Sequence, residues 1–358
     1  MHLGKSCLFV IICCLSSACG HRMSYDNATS FSWSDFQSVE CGDTLKLPHD
    51  CFLSMPLHIL CVDSTLFVQN RKGDGFIQRF RLPQLTPIGE ASISMGNGPQ
   101  ELLNAYRMQA MDSLFGISDL MGGSVMFYPK DSACNASHFP SGRKVRLEEP
   151  FSDVVFLSGR PQFVTTVLNT EHKRLTFFAA DGTSRQTTGM YPTFGTEQSP
   201  LEQMEGYACE MAVDLSNSHI WLFYKSTDLI EIYDYEGRLV KRLHGPDHFF
   251  PAVRELSNEE GLQKVSSVSG ETRDAYFCPL YSGGKIYVLY SGRVYHEGQS
   301  IDSYLLDTML SFNLDGTPDK VYKLPVPVFT FAIDEINRTL YGLSFDPEYH
   351  LVKFHFQL

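Results

Sequence analysis

Basic residues are scarce in this chain of 358: 29 Lys and Arg stand against 41 Asp and Glu, giving a formal net charge of −12. A nucleic-acid binder ordinarily carries a basic face that displaces counterions from phosphate, so that class is excluded. Charged residues of both signs make up only 20%, whereas apolar residues reach 43% and aromatics 13%. That balance excludes a self-repelling disordered polymer and leaves enough apolar surface for a large core. No apolar run approaches the about 20 residues that a membrane-spanning helix requires. Short motifs with a defined mechanism are missing too: there is no Gly-x-Ser-x-Gly, no His-Glu-x-x-His, no phosphate-binding Gly-x4-Gly-Lys-Ser/Thr and no Cys-x-x-Cys.

What the chain does have begins with an address. Lys5 precedes an apolar stretch at residues 7–15, followed by Ser16, Ser17 and Ala18 before Cys19, the pattern of a secretory signal. Leu15-Ser16-Ser17-Ala18-Cys19 resembles a bacterial lipobox, with Leu15 one place further from the cysteine than usual and Ser16 in its position. The expectation is a signal peptide over residues 1–18, lipidation at Cys19, and an anchor and tether over residues 19–40. Phe31, Trp33 and Phe36 alternate with polar residues, so the flexible part of that tether is expected to end near Ser30. Lipoproteins displayed on the cell surface often carry an acidic cluster after the cysteine; here Gly20, His21, Arg22 and Met23 follow it. This points to an outer-membrane lipoprotein facing the periplasm. Six further cysteines, Cys41, Cys51, Cys61, Cys134, Cys209 and Cys278, allow fifteen full pairings, and most are expected to act as buried thiols.

Beyond the tether, short runs rich in Val, Ile, Leu, Phe and Tyr alternate with turn residues, and no long amphipathic helix interrupts them. The class is all-β. Six leading runs end at Asp63, Asp112, Ser158, Asp214, Ser282 and Asp334, spaced by 46 to 68 residues. A second marker, the turn between third and fourth runs, falls near Gln84, Lys130, Asp181, Glu236 and Asp315. In the last three an acidic residue precedes glycine, which takes positive φ at low cost. Units of this size with four short strands read as propeller blades, so residues 41–358 form a six-bladed β-propeller of four-stranded blades. The sixth unit runs out of sequence before a fourth strand, while DTLKLP at residues 43–48 belongs to no unit. The expectation is that this N-terminal strand closes the last blade and removes an open edge.

Two segments resemble a known family. Gly96-Asn97-Gly98-Pro99-Gln100-Glu101 looks like its Gly-x-Gly-Pro-x-Glu element between blades, and the C-terminal stretch with Ala332-Ile333-Asp334 and Leu340-Tyr341-Gly342-Leu343 is similar to its closing blade. The family is that of the six-bladed, TolB-like β-propeller lipoproteins of Gram-negative anaerobes. The resemblance implies a fold and an envelope location, with no assigned reaction.

Candidate chemistry is sparse. His244-Gly-Pro-Asp-His248 is the nearest thing to a ligand pair, but Gly-Pro forbids the helical spacing that would bring both imidazoles to one metal. Residues 96–101 read as an inter-blade turn leading into a short helix, LLNAYRM, rather than a phosphate cradle. Asp63, Asp112, Asp214 and Asp334 follow apolar runs directly before turns, where Asp accepts backbone N–H bonds. Two stretches break the period: residues 189–206, and residues 245–275, which read as an insertion with one or two short helices. Inter-blade insertions gather at one rim, so Tyr191, Phe194, His248, Phe249 and Phe250 form a candidate binding rim, although the same rings can simply cap the core beneath them. The functional expectation is a monomeric, lipid-anchored, non-catalytic module that binds or scaffolds an envelope protein, peptide or glycan, with no cofactor, no metal and no nucleic acid. The rival reading is a cation-dependent hydrolase or lactonase with its site at the channel mouth, built on the recurring Asp residues.

Overall fold

The computed structural model describes residues 23–42, 44–46, 53–71, 75–160, 162–166, 172–257 and 263–355. Six sheets stand around a central axis, and every leading run forms the innermost strand of one: Pro56–Val62, Ala105–Met111, Asp153–Leu157, Cys209–Asp214, Tyr276–Ser282 and Thr330–Asp334. Each blade then steps outward by antiparallel neighbours, as in blade four, where His219–Tyr224, Leu229–Asp234 and Leu239–His244 follow in order. The acidic-glycine turns lie between third and fourth strands, with φ of 89° at Gly182, 78° at Gly237 and 87° at Gly316.

Both faces of each blade are covered by neighbours, so the second strands carry near-continuous apolar sequence instead of an alternation. In His219–Tyr224 only His219 escapes full burial. Six apolar clusters fill the six gaps between blades. Phe67 stacks on Phe115 at 4.4 Å between blades one and two, and Phe127 meets Phe156 and Phe163 between two and three. Met211, Leu222 and Tyr224 pack against Val155 and Phe177 between three and four, and Trp221, Phe223, Tyr276 and Phe312 between four and five. Tyr287, Phe331 and Phe354 join five to six, and Leu66, Phe80 and Tyr341 join six to one. Each such side chain contributes about 1.5–3 kcal/mol by leaving water.

The ring closes as expected: Thr44–Lys46 is the outer strand of blade six, antiparallel to Tyr349–His355, with Lys46 opposite Val352 and Thr44 opposite Phe354. Three other expectations are corrected. The anchor-and-tether assignment of residues 19–40 fails over its described part, because Ala28–Ser30 adds a fifth, parallel strand to blade four and Gln37–Glu40 adds one to blade five. Tyr25, Phe31 and Phe36 are buried along this strap, and it is this apolar area that holds the segment down. The helix expected over LLNAYRM is absent: Ala105–Met111 is strand, and the helix-like spacing of Leu102, Leu103 and Tyr106 is overridden by the sheet. In the insertion, the described residues form a β-hairpin, Val253–Ser257 with Gln263–Ser267, in place of short helices. Cys19 and Cys51 lie outside the described residues. Cys41, Cys61, Cys134, Cys209 and Cys278 are free thiols, of which Cys134 and Cys209 are buried.

Candidate functional site: the central channel

The six inner strands neighbour one another around the axis and enclose a cavity of about 210 Å³. All run in the same direction. Their N-terminal ends therefore gather at one mouth, beside the inter-blade connections, and their C-terminal ends at the other, beside the tight turns. We refer to these as the loop mouth and the turn mouth.

The wall is mostly apolar, with Ile59, Met108, Val155, Val213, Leu280 and Phe331 among its residues. Charge enters near the loop mouth, in two pairs. Arg107 donates to Asp153 at 2.7 Å and also to the Met211 carbonyl, while Asp153 accepts the Met211 N–H at 2.8 Å. Lys225 lies 2.9 Å from Glu210, whose other oxygen accepts the Cys278 N–H at 2.7 Å. Burial would push Glu210 upward, but the attraction of Lys225 and other nearby cations outweighs it and holds the carboxyl down to about 2. His58 faces the same groups; burial, with Arg107 and Lys225 nearby, lowers its pKa to about 4, so the ring is neutral at physiological pH. The two channel thiols are pushed the other way by burial, Cys278 up to about 12 and Cys61 well above its usual value. Neither thiol is a ready nucleophile. At the turn mouth, Glu335 accepts from Ser282 Oγ and the Gly283 N–H, each at 2.7 Å, and Ser216 bonds Tyr281 OH at 2.7 Å.

The recurring aspartates stand at the ends of the inner strands, and two of them cap turns. Asp214 and Asp334 are buried and accept the N–H groups of Ser216, Asn217 and Asn337. Asp112 takes positive φ (47°) and accepts from Ser158 Oγ, and Asp63, also at positive φ (51°), is exposed beside Lys130. No three His, Cys, Asp or Glu side chains among the described residues come together in a way that could hold a metal ion. Residues 96–101 form the expected turn, closed by its own carboxylate: Glu101 accepts the Gly98 N–H at 2.8 Å, and a Cβ at Gly96 would fall 2.0 Å from Glu101 Oε2. The Gly96, Gly98 and Glu101 amides are thus already engaged.

The candidate rim is mostly filled from within. Tyr191 and Phe194 are buried, and Phe194 stacks on Phe250 at 4.8 Å. The Tyr25 ring of the strap sits among Phe194, Phe250, Tyr207 and His244, with its hydroxyl 3.1 Å from Thr227 Oγ1. Phe249 is half-buried under Arg273. Only His248 is exposed, held at positive φ (60°) where Asp228 accepts the N–H groups of Asp247, His248 and Phe249. Phe194 and Phe250 thus help to seat the chain's own N-terminal strap. The two period-breaking segments do meet: the short helix Pro200–Gly206 lies against the hairpin, and a Cβ on Gly206 would stand 3.0 Å from Pro251.

Sequence reasoning missed Arg107, Asp153, Glu210, Lys225 and His58. For Arg107, Asp153 and Glu210 the available signal was a charged residue near the start of a mostly apolar inner strand, as in AYRMQAM, DVVFL and CEMAVD.

No curated protein matches the chain in sequence. Among solved structures, the fold is similar to that of a member of the DUF4221 family from Bacteroides vulgatus, with a TM-score of 0.58 and 11% identity over 88% of this chain and 96% of that one. It is also similar to a Bacteroides fragilis protein described as exported, with a TM-score of 0.51 and 12% identity over 88% and 98% of the two chains. At these identities the likeness shows the fold alone. A family model described as "TolB-like 6-blade propeller-like" matches residues 34–336, most of the chain, and the protein belongs to that family.

Proposed function

We propose that the protein is a cell-envelope propeller, anchored by lipid at Cys19, that acts as a non-catalytic binding or scaffold module for a protein, peptide or glycan. The observation that supports this best is the state of the channel's ionisable groups. Arg107 is engaged by Asp153 and Lys225 by Glu210, His58 is neutral, and the thiols are held protonated. A general acid or base needs a pKa near the working pH and a position facing substrate, and these groups are spent on one another. Rigid blades with a preformed cavity suit recognition, in which shape is held in advance and little order is lost on binding. The signal-like first 18 residues and the lipobox-like sequence at Cys19 support the envelope address. Affinity capture on the full-length lipidated chain, in detergent extracts of the source membranes and on an array of envelope glycans, tests the role. Recovery of a stoichiometric envelope protein or glycan that the unfolded chain does not retain is the expected result. Background binding in both formats would sink it.

A further inference from the structure

We propose that the anchored protein lies with its loop mouth toward the bilayer, resting on zwitterionic lipid headgroups through the two inter-blade insertions, and presents the turn mouth to its partner. The inference rests on the lipidation proposed above and adds an orientation to it. Its first ground is chain length. Tyr25 is clamped by Phe194, Tyr207, Phe250 and Thr227, all of which belong to loop-mouth connections of blades three to five. Six residue steps separate Cys19 from Tyr25, and an extended chain covers about 3.6 Å per step, so the lipid lies within roughly 20 Å of that clamp. Strands of five to seven residues make the ring itself about 20 Å tall. Reaching a membrane beneath the turn mouth would need the whole leader stretched flat along the flank.

The second ground is the distribution of apolar surface. Among the described residues, most large apolar side chains left exposed are on the loop side: Met95, Met121, Met190, Met204, Leu256 and Tyr304 stand on its connections. Met190, Met204 and Leu256 belong to the two insertions that pack together next to the Tyr25 clamp. The turn side exposes fewer: Leu215 and Ile336 on its turns, and Leu239 and Val240 where the fourth strand of blade four begins. Scattered apolar tips such as these reach the headgroup layer without making a transmembrane segment, as interfacial segments do. The insertions also carry Glu197, Glu202, Glu205 and Glu255, which favours a zwitterionic surface over an anionic one.

The test uses the full-length lipidated chain carrying Trp33→Phe, in which the fully buried Trp221 stays as a constant background, with one surface tryptophan added by Met204→Trp, Leu256→Trp or Ile336→Trp. Each variant is reconstituted on phosphatidylcholine vesicles with brominated acyl chains, and fluorescence quenching is read beside vesicle flotation and intact mass. The expected result is flotation with a lipid-sized mass increase, with quenching at positions 204 and 256 severalfold stronger than at 336. Flotation with equal quenching, or stronger quenching at 336, overturns the orientation and leaves the anchor standing. A chain that neither floats nor carries the added mass overturns the anchor, and the orientation with it.

Discussion

Asp153 shows what a single channel residue is worth. Its carboxylate is fully buried and accepts from both Arg107 and the Met211 N–H, so its removal strands a guanidinium that is itself largely buried. Breaking one partner of such a pair typically costs about 3–5 kcal/mol, whereas replacing both by apolar groups is often close to neutral. Asp153→Ala is therefore expected to destabilise by that amount in denaturant unfolding, and Asp153→Ala with Arg107→Met by much less; equal losses in the two variants would show that the pair is not coupled. His58 supplies a pH dependence. Its folded pKa of about 4 lies below the ordinary value of 6.5, so protonation is disfavoured in the folded state. The stability it contributes is full above about 6.5 and is lost as pH falls toward about 4, up to about 3 kcal/mol. Glu210, lowered to about 2, loses its own contribution in the same direction but below about 4.5. His58→Phe should thus flatten the melting temperature profile between pH 6.5 and 4.5 while leaving the more acidic limb in place. An unchanged profile would mean that the ring is solvated in the folded state.

At the level of the element, the strap and the closing strand make separate predictions. Phe31 and Phe36 meet each other and Phe312 at 5.6–5.8 Å, and a Cβ on Gly245 would fall 2.1 Å from the Phe31 carbonyl, so the strap fits closely over blades four and five. Phe31→Ala is expected to cost about 3–5 kcal/mol in thermal or denaturant unfolding, the usual range for a buried phenylalanine; a loose tether would give no change. Deleting residues 41–48 should lower the stability of the whole ring in one cooperative transition, since it opens blade six along Tyr349–His355. A melt in which only a small fraction unfolds early would show that closure is local. Gly245, which passes the Phe31 carbonyl at φ of 152°, marks a place where any side chain would push the strap away.

Over the whole molecule, the blades could be read from the chain because each inner strand is an apolar run that stops at a turn residue, and the six runs recur at comparable spacings. Closure was legible for a related reason: a strand without a unit and a unit without a strand complete each other. The helix-like reading of LLNAYRM failed because Leu102, Leu103 and Tyr106 satisfy a helical i, i+3, i+4 spacing while Leu102, Tyr106 and Met108 satisfy an extended one, and only the neighbouring blades decide between them. The strap escaped because its anchoring contacts join residues more than 160 positions apart, such as Thr193 to Asp26 and Trp33 to Asp247. Channel pairing was invisible for the same reason: Arg107, Asp153 and Glu210 lie on three different blades, and nothing local in the sequence announces that their strand ends converge. Recognition residues on a propeller are set by the ring, so they emerge only once its order is known.

The pairing of Thr44–Lys46 with Tyr349–His355 also sets an order of events during biogenesis. A chain synthesised from its N-terminus presents Thr44–Lys46 long before residues 352–354 are made. Until then blade six cannot form, the clusters on either side of it stay open, and the early blades wait with apolar surface uncovered. The strand that completes the structure is thus made late, and a ring of this kind has a natural use for a chaperone that shields its first blades during that interval.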